Sequence, residues 1–299
     1  VRLWGGGLSR LSEGRFRTYG TDSGLAHRTV VALLVDRRGT LWAGTYGALS
    51  RLEGDRFVNV TEREGLSHKM VFCLHEDAGG GLWAGTYGGG LDRVREGRAR
   101  GIRQKDGLFD DVVYRILEDG DGRFWLTCNR GIFAVQKSQL EDFLEGRASS
   151  VSCLSLGRAD GMRSAECNGG TQPAGLALRD GRLCFPTTRG LVFVDPDRLG
   201  PGGPPPPVVL ERAFYDRAPA DLGQGPPEFP PGRGELEFRY AALSYLGPEK
   251  IRFAYRLEGF EKEWHDAGGR RTAYYTNIRH GAYRFVVRAC NRDGVWNDA

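Results

Sequence analysis

Twelve residues with recognition chemistry stand in two recurring kinds of loop. His27-Arg28, His68-Lys69 and Asp110-Asp111 each precede an apolar run, and Glu166-Cys167-Asn168 is their counterpart in the last repeat. Tyr46, Tyr87, Asn129-Arg130 and Thr188-Arg189 each follow a second short run. Tyrosine rings stack on sugars and donate hydrogen bonds, while arginine and lysine pair with carboxylate or sulfate. The candidate ligand-binding set is His27, Arg28, Tyr46, His68, Lys69, Tyr87, Asp110, Asn129, Arg130, Glu166, Asn168 and Arg189. Each taken alone also reads as an ordinary loop residue. No catalytic constellation and no cofactor motif is expected. The six cysteines form no C-x-x-C pair and no histidine cluster joins them, so no metal site is expected either. They read as buried free thiols; spacing does not decide whether Cys153 and Cys167 are bridged.

The elements that position these loops come from a repeated phrase. Asp36 to Gly47, Asp77 to Gly88 and Asp119 to Thr127 share an Asp, a glycine turn and a tryptophan. Trp42 and Trp83 are 41 residues apart, Trp83 and Trp125 are 42. Trp4 and the glycines after it read as the tail of an earlier copy. Asp180 to Thr187 reads as a later one, with Phe185 in the tryptophan slot. A period near 40 made of short β-type runs is the signature of propeller blades. Within a copy, Val30 to Asp36 is the innermost strand, Leu41 to Thr45 the second, Ala48 to Leu52 the third and Arg56 to Val60 the outermost. The turn Asp bonds the turn amides, the Trp fills the wedge between blades, and Ala43-Gly44 and Ala84-Gly85 let sheets approach. In such a blade, the entering loop and the loop between strands two and three share one face and ring the axis. Lys137 to Gly146 has helical spacing with Ser138 as N-cap, before an outer strand Val151 to Leu156. The last copy lacks a fourth strand.

Pro201 to Pro207 is a stiff linker. After it, short alternating strands at Val208, Glu235, Arg252, Thr272 and Tyr283 predict a sandwich of immunoglobulin or fibronectin type. Tyr240, Tyr255, Tyr274 and Tyr283 fall in these strands as packing residues. The reading is an all-β chain: a partial β-propeller of four to five four-stranded blades over 1–200, a linker over 201–207 and a β-sandwich over 208–299. The net charge of +4 is spread among 42 basic and 38 acidic residues, which argues against a nucleic-acid partner. Both ends look cut, as in a piece of a longer protein.

Gly65-Leu66-Ser67-His68-Lys69-Met70-Val71, followed by Glu76-Asp77 and Leu82 to Thr86, resembles the two-component regulator propeller repeat. Phe238-Arg239-Tyr240, Tyr255 to Phe260, Trp264, Tyr274 to Asn277, Gly281 to Tyr283 and Ala289 to Trp296 resemble the three-Y domain that follows such propellers. The resemblance implies the periplasmic, ligand-sensing part of a bacterial inner-membrane receptor. Its signal would be a small molecule or oligosaccharide. A transmembrane helix and a histidine kinase or diguanylate cyclase would follow outside this sequence, and the sandwich would serve homodimer contact or relay. Two other readings stand beside it. The Asp-x-x-Gly-x-x-Trp turn is similar to that of sialidase and lyase propellers, so an enzyme acting on glycans or lactones is one. A protein-interaction propeller is the other.

Overall fold

The computed structural model describes residues 2–3, 5–170, 172–199, 205–222, 225–243, 251–291 and 295–297. Trp4, the linker positions 201–204 and the motif positions 292–294 lie outside the described residues. The chain divides into two compact units, Val1–Gly200 and Pro201–Ala299.

The first unit is a fan of five antiparallel sheets, each a meander. Blade I has strands Arg2–Leu3, Gly7–Ser12 and Arg15–Tyr19. Blade II has Val30–Val35, Leu41–Thr45, Leu49–Glu53 and Arg56–Val60. Blade III has Val71–Glu76, Leu82–Thr86, Leu91–Arg95 and Arg98–Ile102. Blade IV has Arg115–Glu118, Arg123–Cys128, Gly131–Gln136 and, after the helix Lys137–Leu144, Leu154–Leu156. Blade V has Leu176–Ala177, Leu183–Thr187 and Gly190–Val194. The first strands of blades II, III and IV lie against one another, which makes them the inner strands.

The core sits between blades. Leu8 and Tyr19 pack on Val30, Ala43 and Phe57. Trp42 packs against Leu74 and Ala84, Trp83 against Ile116, Phe124 and Phe133, and Trp125 against Leu183 and Phe185. Each indole therefore faces the following blade. Close approach needs the small residues beside it: a Cβ on Gly85 would meet Cys73 Sγ at 2.4 Å and Val113 Cγ1 at 2.6 Å.

One clamp recurs at the turn. Asp77 Oδ1 accepts from Gly79 N at 2.8 Å and Gly81 N at 2.9 Å, and Oδ2 accepts from Trp83 Nε1 at 2.8 Å. Asp36 does the same with Arg38, Thr40 and Trp42, and Asp119 with Asp121, Arg123 and Trp125. The turn is thus tied to the wedge residue six positions on. The inner strand of each following blade fastens the turn from outside. Glu76 accepts from Arg37 N at 2.9 Å, and Glu118 from Ala78 N at 3.3 Å.

Three local expectations are corrected. In blade V the turn frame opens at Leu178, whose N–H bonds Arg182 O as Asp36 N bonds Thr40 O. Cys184 then occupies the tryptophan slot, and Phe185 points back into the core shared with blade IV. Asp180 sits two residues late in the turn and pairs with Arg182 instead. Ser138 is not the helix cap. The helix starts directly off the third strand, with Gln136 at the cap and no side-chain bond there. The outer strand of blade IV is short, pairing Leu154–Leu156 with Ile132–Ala134.

The second unit is a sandwich. One sheet orders Ala218–Pro219, Val208–Tyr215, Leu236–Ala242 and Thr272–Tyr275; the other orders His265–Gly268, Arg252–Glu258 and Arg284–Cys290. Tyr240, Tyr255 and Tyr275 meet in its core with ring centroids 6.0–6.2 Å apart. The expectation for Tyr274 is corrected: alternation turns it outward, 66% exposed, and puts its neighbour Tyr275 inside. Tyr275 donates to Glu261 Oε1 at 2.6 Å. On the outer face of the second sheet, Arg256 and Arg288 lie over Trp264 at 4.7 and 4.2 Å, and Arg288 over Trp296 at 4.8 Å.

Candidate recognition face of the propeller

The two loop families come together as backbone neighbours. Tyr46 N donates to Thr29 O, Tyr87 N to Met70 O, and Thr188 N to Glu166 O. Gly88 N and Gly90 N both donate to Asp111 O, which ties blade III to the entering loop of blade IV.

The entering loops share a device. His27 Nδ1 accepts from Thr29 N at 2.9 Å and His68 Nδ1 from Met70 N at 3.2 Å. Asp110 Oδ1 accepts from Val112 N at 2.9 Å, and Ser164 Oγ from Glu166 N at 3.2 Å. Each of these side chains accepts from the amide two residues on and so caps its own loop, as an Asx turn does. In both histidines this use of Nδ1 leaves Nε2 as the free donor. The turns after strand two share another device. Thr45 Oγ1 donates to Ala48 O, Thr86 Oγ1 to Gly90 O and Thr187 Oγ1 to Gly190 O, with Cys128 Sγ in the same role toward Gly131 O.

Above these sits a row of rings crossing three blades. His27 stacks on Tyr46 with centroids 6.0 Å apart, and Tyr46 on Phe72 at 5.8 Å. Phe72 meets Tyr87 at 5.3 Å and Tyr114 at 5.7 Å, and Tyr87 meets Tyr114 at 6.4 Å. Phe72 and Tyr114 are buried hubs, His27 and Tyr87 the exposed ends. Tyr114 donates to Asn129 Oδ1 at 2.9 Å, and burial pushes its phenol pKa up against that bond. Neither Phe72 nor Tyr114 stands out in the sequence. The ladder register slips between Val71 and Cys73, so Phe72 is a bulge residue; the same slip occurs at Val31 in blade II. A bulge re-aims a side chain that simple alternation would send into a blade border.

Other expected residues fall around this row. Arg130 lies over the Phe109 ring at 4.8 Å with Asp110 Oδ2 3.8 Å away. Arg28, Lys69, Glu166, Asn168 and Arg189 are exposed. Gln172, ahead of blade V, reaches the inner strand of blade II, accepting from Leu33 N at 2.8 Å and donating to Leu33 O at 2.9 Å. A Cβ on Gly169 would fall 2.0 Å from the Tyr114 ring, so only glycine lets the backbone lie there. The face is therefore a shallow aromatic surface. Two open clefts in this unit lie elsewhere. One of about 740 Å³ is lined by Ser67, Arg100, Arg103 and Phe143; another of about 370 Å³ lies between the turns of blades II and III.

Beneath the entering loop of blade III, Asp92 is fully buried. It accepts from Ser67 Oγ at 2.6 Å and Ser67 N at 3.2 Å. Desolvation outweighs those bonds and pushes its carboxyl up to about 6. Among the described residues no group of His, Cys, Asp and Glu is arranged to hold a metal ion. No helix among them is long and apolar enough to cross a membrane.

Fan, turn clamp and loop face define a repeat propeller followed by a tyrosine-cored sandwich. The two-component regulator propeller family matches at residues 24–47, 65–88 and 107–130, each match holding an entering loop and the two inner strands; the Y_Y_Y domain matches at 244–299. The chain thus carries three two-component regulator propeller repeats, followed by a segment that matches the Y_Y_Y domain. It is similar to the extracellular domain of the hybrid two-component system BT3049 from B. thetaiotaomicron, with a TM-score of 0.68, 20% identity, and coverage of 95% of this chain and 39% of that one. The extracellular domain of BT4673 from the same organism aligns over 92% of this chain and 48% of its own, with 18% identity and a TM-score of 0.36. Histidine kinase P4 of Formosa agariphila is 21% identical over 207 residues, 65% of this chain. The chain spans 14% of that kinase's length.

Proposed function

We propose that this chain is the extracytoplasmic, ligand-sensing region of a membrane-bound bacterial signal-transduction receptor, with a two-component histidine kinase as its output. The observation that carries the reading is the row of rings from His27 to Tyr114, spread over three blades and flanked by exposed Arg28, Lys69 and Arg130. Support comes from the shared fold of a receptor's extracellular domain and from the kinase relative. The ligand class is a small anionic molecule or an acidic oligosaccharide: sugar faces stack on Tyr87 and His27, and carboxylate or sulfate pairs with the cations. A diguanylate cyclase is the alternative output. The sandwich is the proposed homodimer contact, which sedimentation at rising concentration tests.

Calorimetric titration with neutral, uronic and sulfated oligosaccharides tests the site. We expect binding of an acidic member, weakened at least tenfold in Tyr87→Ala and unchanged in Tyr274→Ala, whose ring is exposed on the sandwich. Equal weakening in both variants, or none in Tyr87→Ala, refutes the assignment.

A further inference from the structure

The border between blades IV and V holds two cysteines facing one acceptor. Cys128 Sγ lies 3.5 Å from Gly131 O, and Cys167 Sγ lies 3.6 Å from the same oxygen. The two sulphurs are therefore no more than about 7 Å apart. Their backbones are joined directly, Cys167 N donating to Cys128 O at 3.2 Å. Residues so joined have Cα atoms within the span of a disulfide, roughly 4.4–6.8 Å. The repeat supplies a control. At the same place in the border before, Val113 N donates to Thr86 O at 2.9 Å. There a threonine faces a valine; here both positions are cysteine. Cys128 also keeps the threonine role, donating to the turn carbonyl and accepting from Arg130 N at 3.3 Å. Cys153 lies against Gly107 O, in the border between blades III and IV.

We propose that Cys128 and Cys167 are a modification site: a disulfide that cross-links blade IV to blade V. Side-chain rotation brings the sulphurs together without moving either backbone. The oxidant is a small-molecule or protein disulfide. The Cys128 thiolate attacks one of its sulphurs, forming a mixed disulfide and releasing a thiolate that takes up a proton. The Cys167 thiolate then attacks Cys128 Sγ and expels the second thiolate. Two thiols lose two protons and two electrons, and the oxidant becomes two thiols. Burial pushes both folded-state thiols up to about 12, so the exchange occurs during folding, before the border closes. The proposal leans on the extracytoplasmic reading only for its oxidant in the cell; its chemistry is tested without a cell.

The whole chain is unfolded under reducing conditions, refolded with oxidised and reduced glutathione, alkylated, and mapped by mass spectrometry without reduction. We expect one peptide pair containing Cys128 and Cys167, about 2 Da lighter than the two thiol peptides. We also expect a melting midpoint on the order of 10 °C above that of the reduced chain. The double variant Cys128→Thr/Cys167→Val restores the pair of the previous border. It should fold and melt at one temperature whatever the redox buffer. Quantitative alkylation of both cysteines after oxidative refolding overturns the proposal, as does a cross-link from Cys153 to Cys167. A chain that forms the bond in glutathione but carries none when isolated from cells keeps the chemistry and rejects the extracytoplasmic reading alone.

Discussion

Replacing Asp77 with alanine should destabilise the propeller far more than the same change at Asp36, although the two residues make the same three bonds. Asp77 is 2% exposed and the Trp83 indole it holds is fully buried. Without the carboxylate, Trp83 Nε1 has no acceptor and no route to water. A buried unsatisfied donor costs about 1–3 kcal/mol. The turn amides of Gly79 and Gly81 lie nearer solvent, and losing their charged acceptor adds about 1 kcal/mol. The expected total for Asp77→Ala is about 3 kcal/mol. Asp36, Thr40 and Trp42 instead line the open cavity between the turns of blades II and III, where water replaces the lost acceptor. Asp36→Ala should cost about 1 kcal/mol. Urea unfolding followed by tryptophan emission measures both, taking the transition in which Trp42, Trp83 and Trp125 become exposed. The clamp also predicts acid sensitivity. Burial opposes ionisation of Asp77, but the bonds from Trp83 and Gly81 prevail and hold its carboxyl below the usual range. That stabilisation is present above the unfolded pKa and is lost as pH falls through the folded one. If Asp36→Ala costs as much as Asp77→Ala, the tie from turn to wedge is not what holds the border.

Asp92 has the opposite sign. Its carboxyl is raised to about 6 from an unfolded value near 4, so its contribution is fully present below pH 4 and disappears as pH rises through 6. Asp92→Asn should remove this dependence, gaining about 3 kcal/mol relative to wild type between pH 4 and pH 7; parallel unfolding curves in the two variants across that range count against it. In the sandwich, Trp264→Ala removes the ring shared by Arg256 and Arg288 and should cost about 1–2 kcal/mol. The loss should appear first as faster amide exchange at Ala289, whose N–H is held by Asn297 Oδ1.

Much of this architecture was legible because the repeat carries its own reasons. An Asp, a glycine turn and a Trp at fixed spacing describe a clamp, and the clamp is found in blades II, III and IV. Where the clamp was absent the reading slipped. In blade V the Asp180-Gly181 pair imitates the turn motif, yet hydrogen bonding starts the turn at Leu178, and the register moves with it. The candidate face was half legible. Loop positions follow from strand order, which brought Tyr46 and Tyr87 onto it. Phe72 and Tyr114 were hidden because they sit in apolar runs, and a bulge has no signature in apolar content alone. The pairing of His27 and His68 with their own loop amides was equally invisible, since nothing in the residue type separates a loop cap from a ligand contact.

The carboxylates Glu76 and Glu118 fasten each turn to the next blade on the side away from the aromatic row. The turn clamps therefore sit on one rim of the fan and the aromatic row on the other, where Asp111 O and Cys128 O tie neighbouring blades a second time. Those second ties are backbone bonds, so the side chains beside them can differ from blade to blade, as His27 and Asp110 or Tyr46 and Asn129 do, while the turn clamps stay the same. The same backbone frame can thereby present a different set of side chains in each repeat.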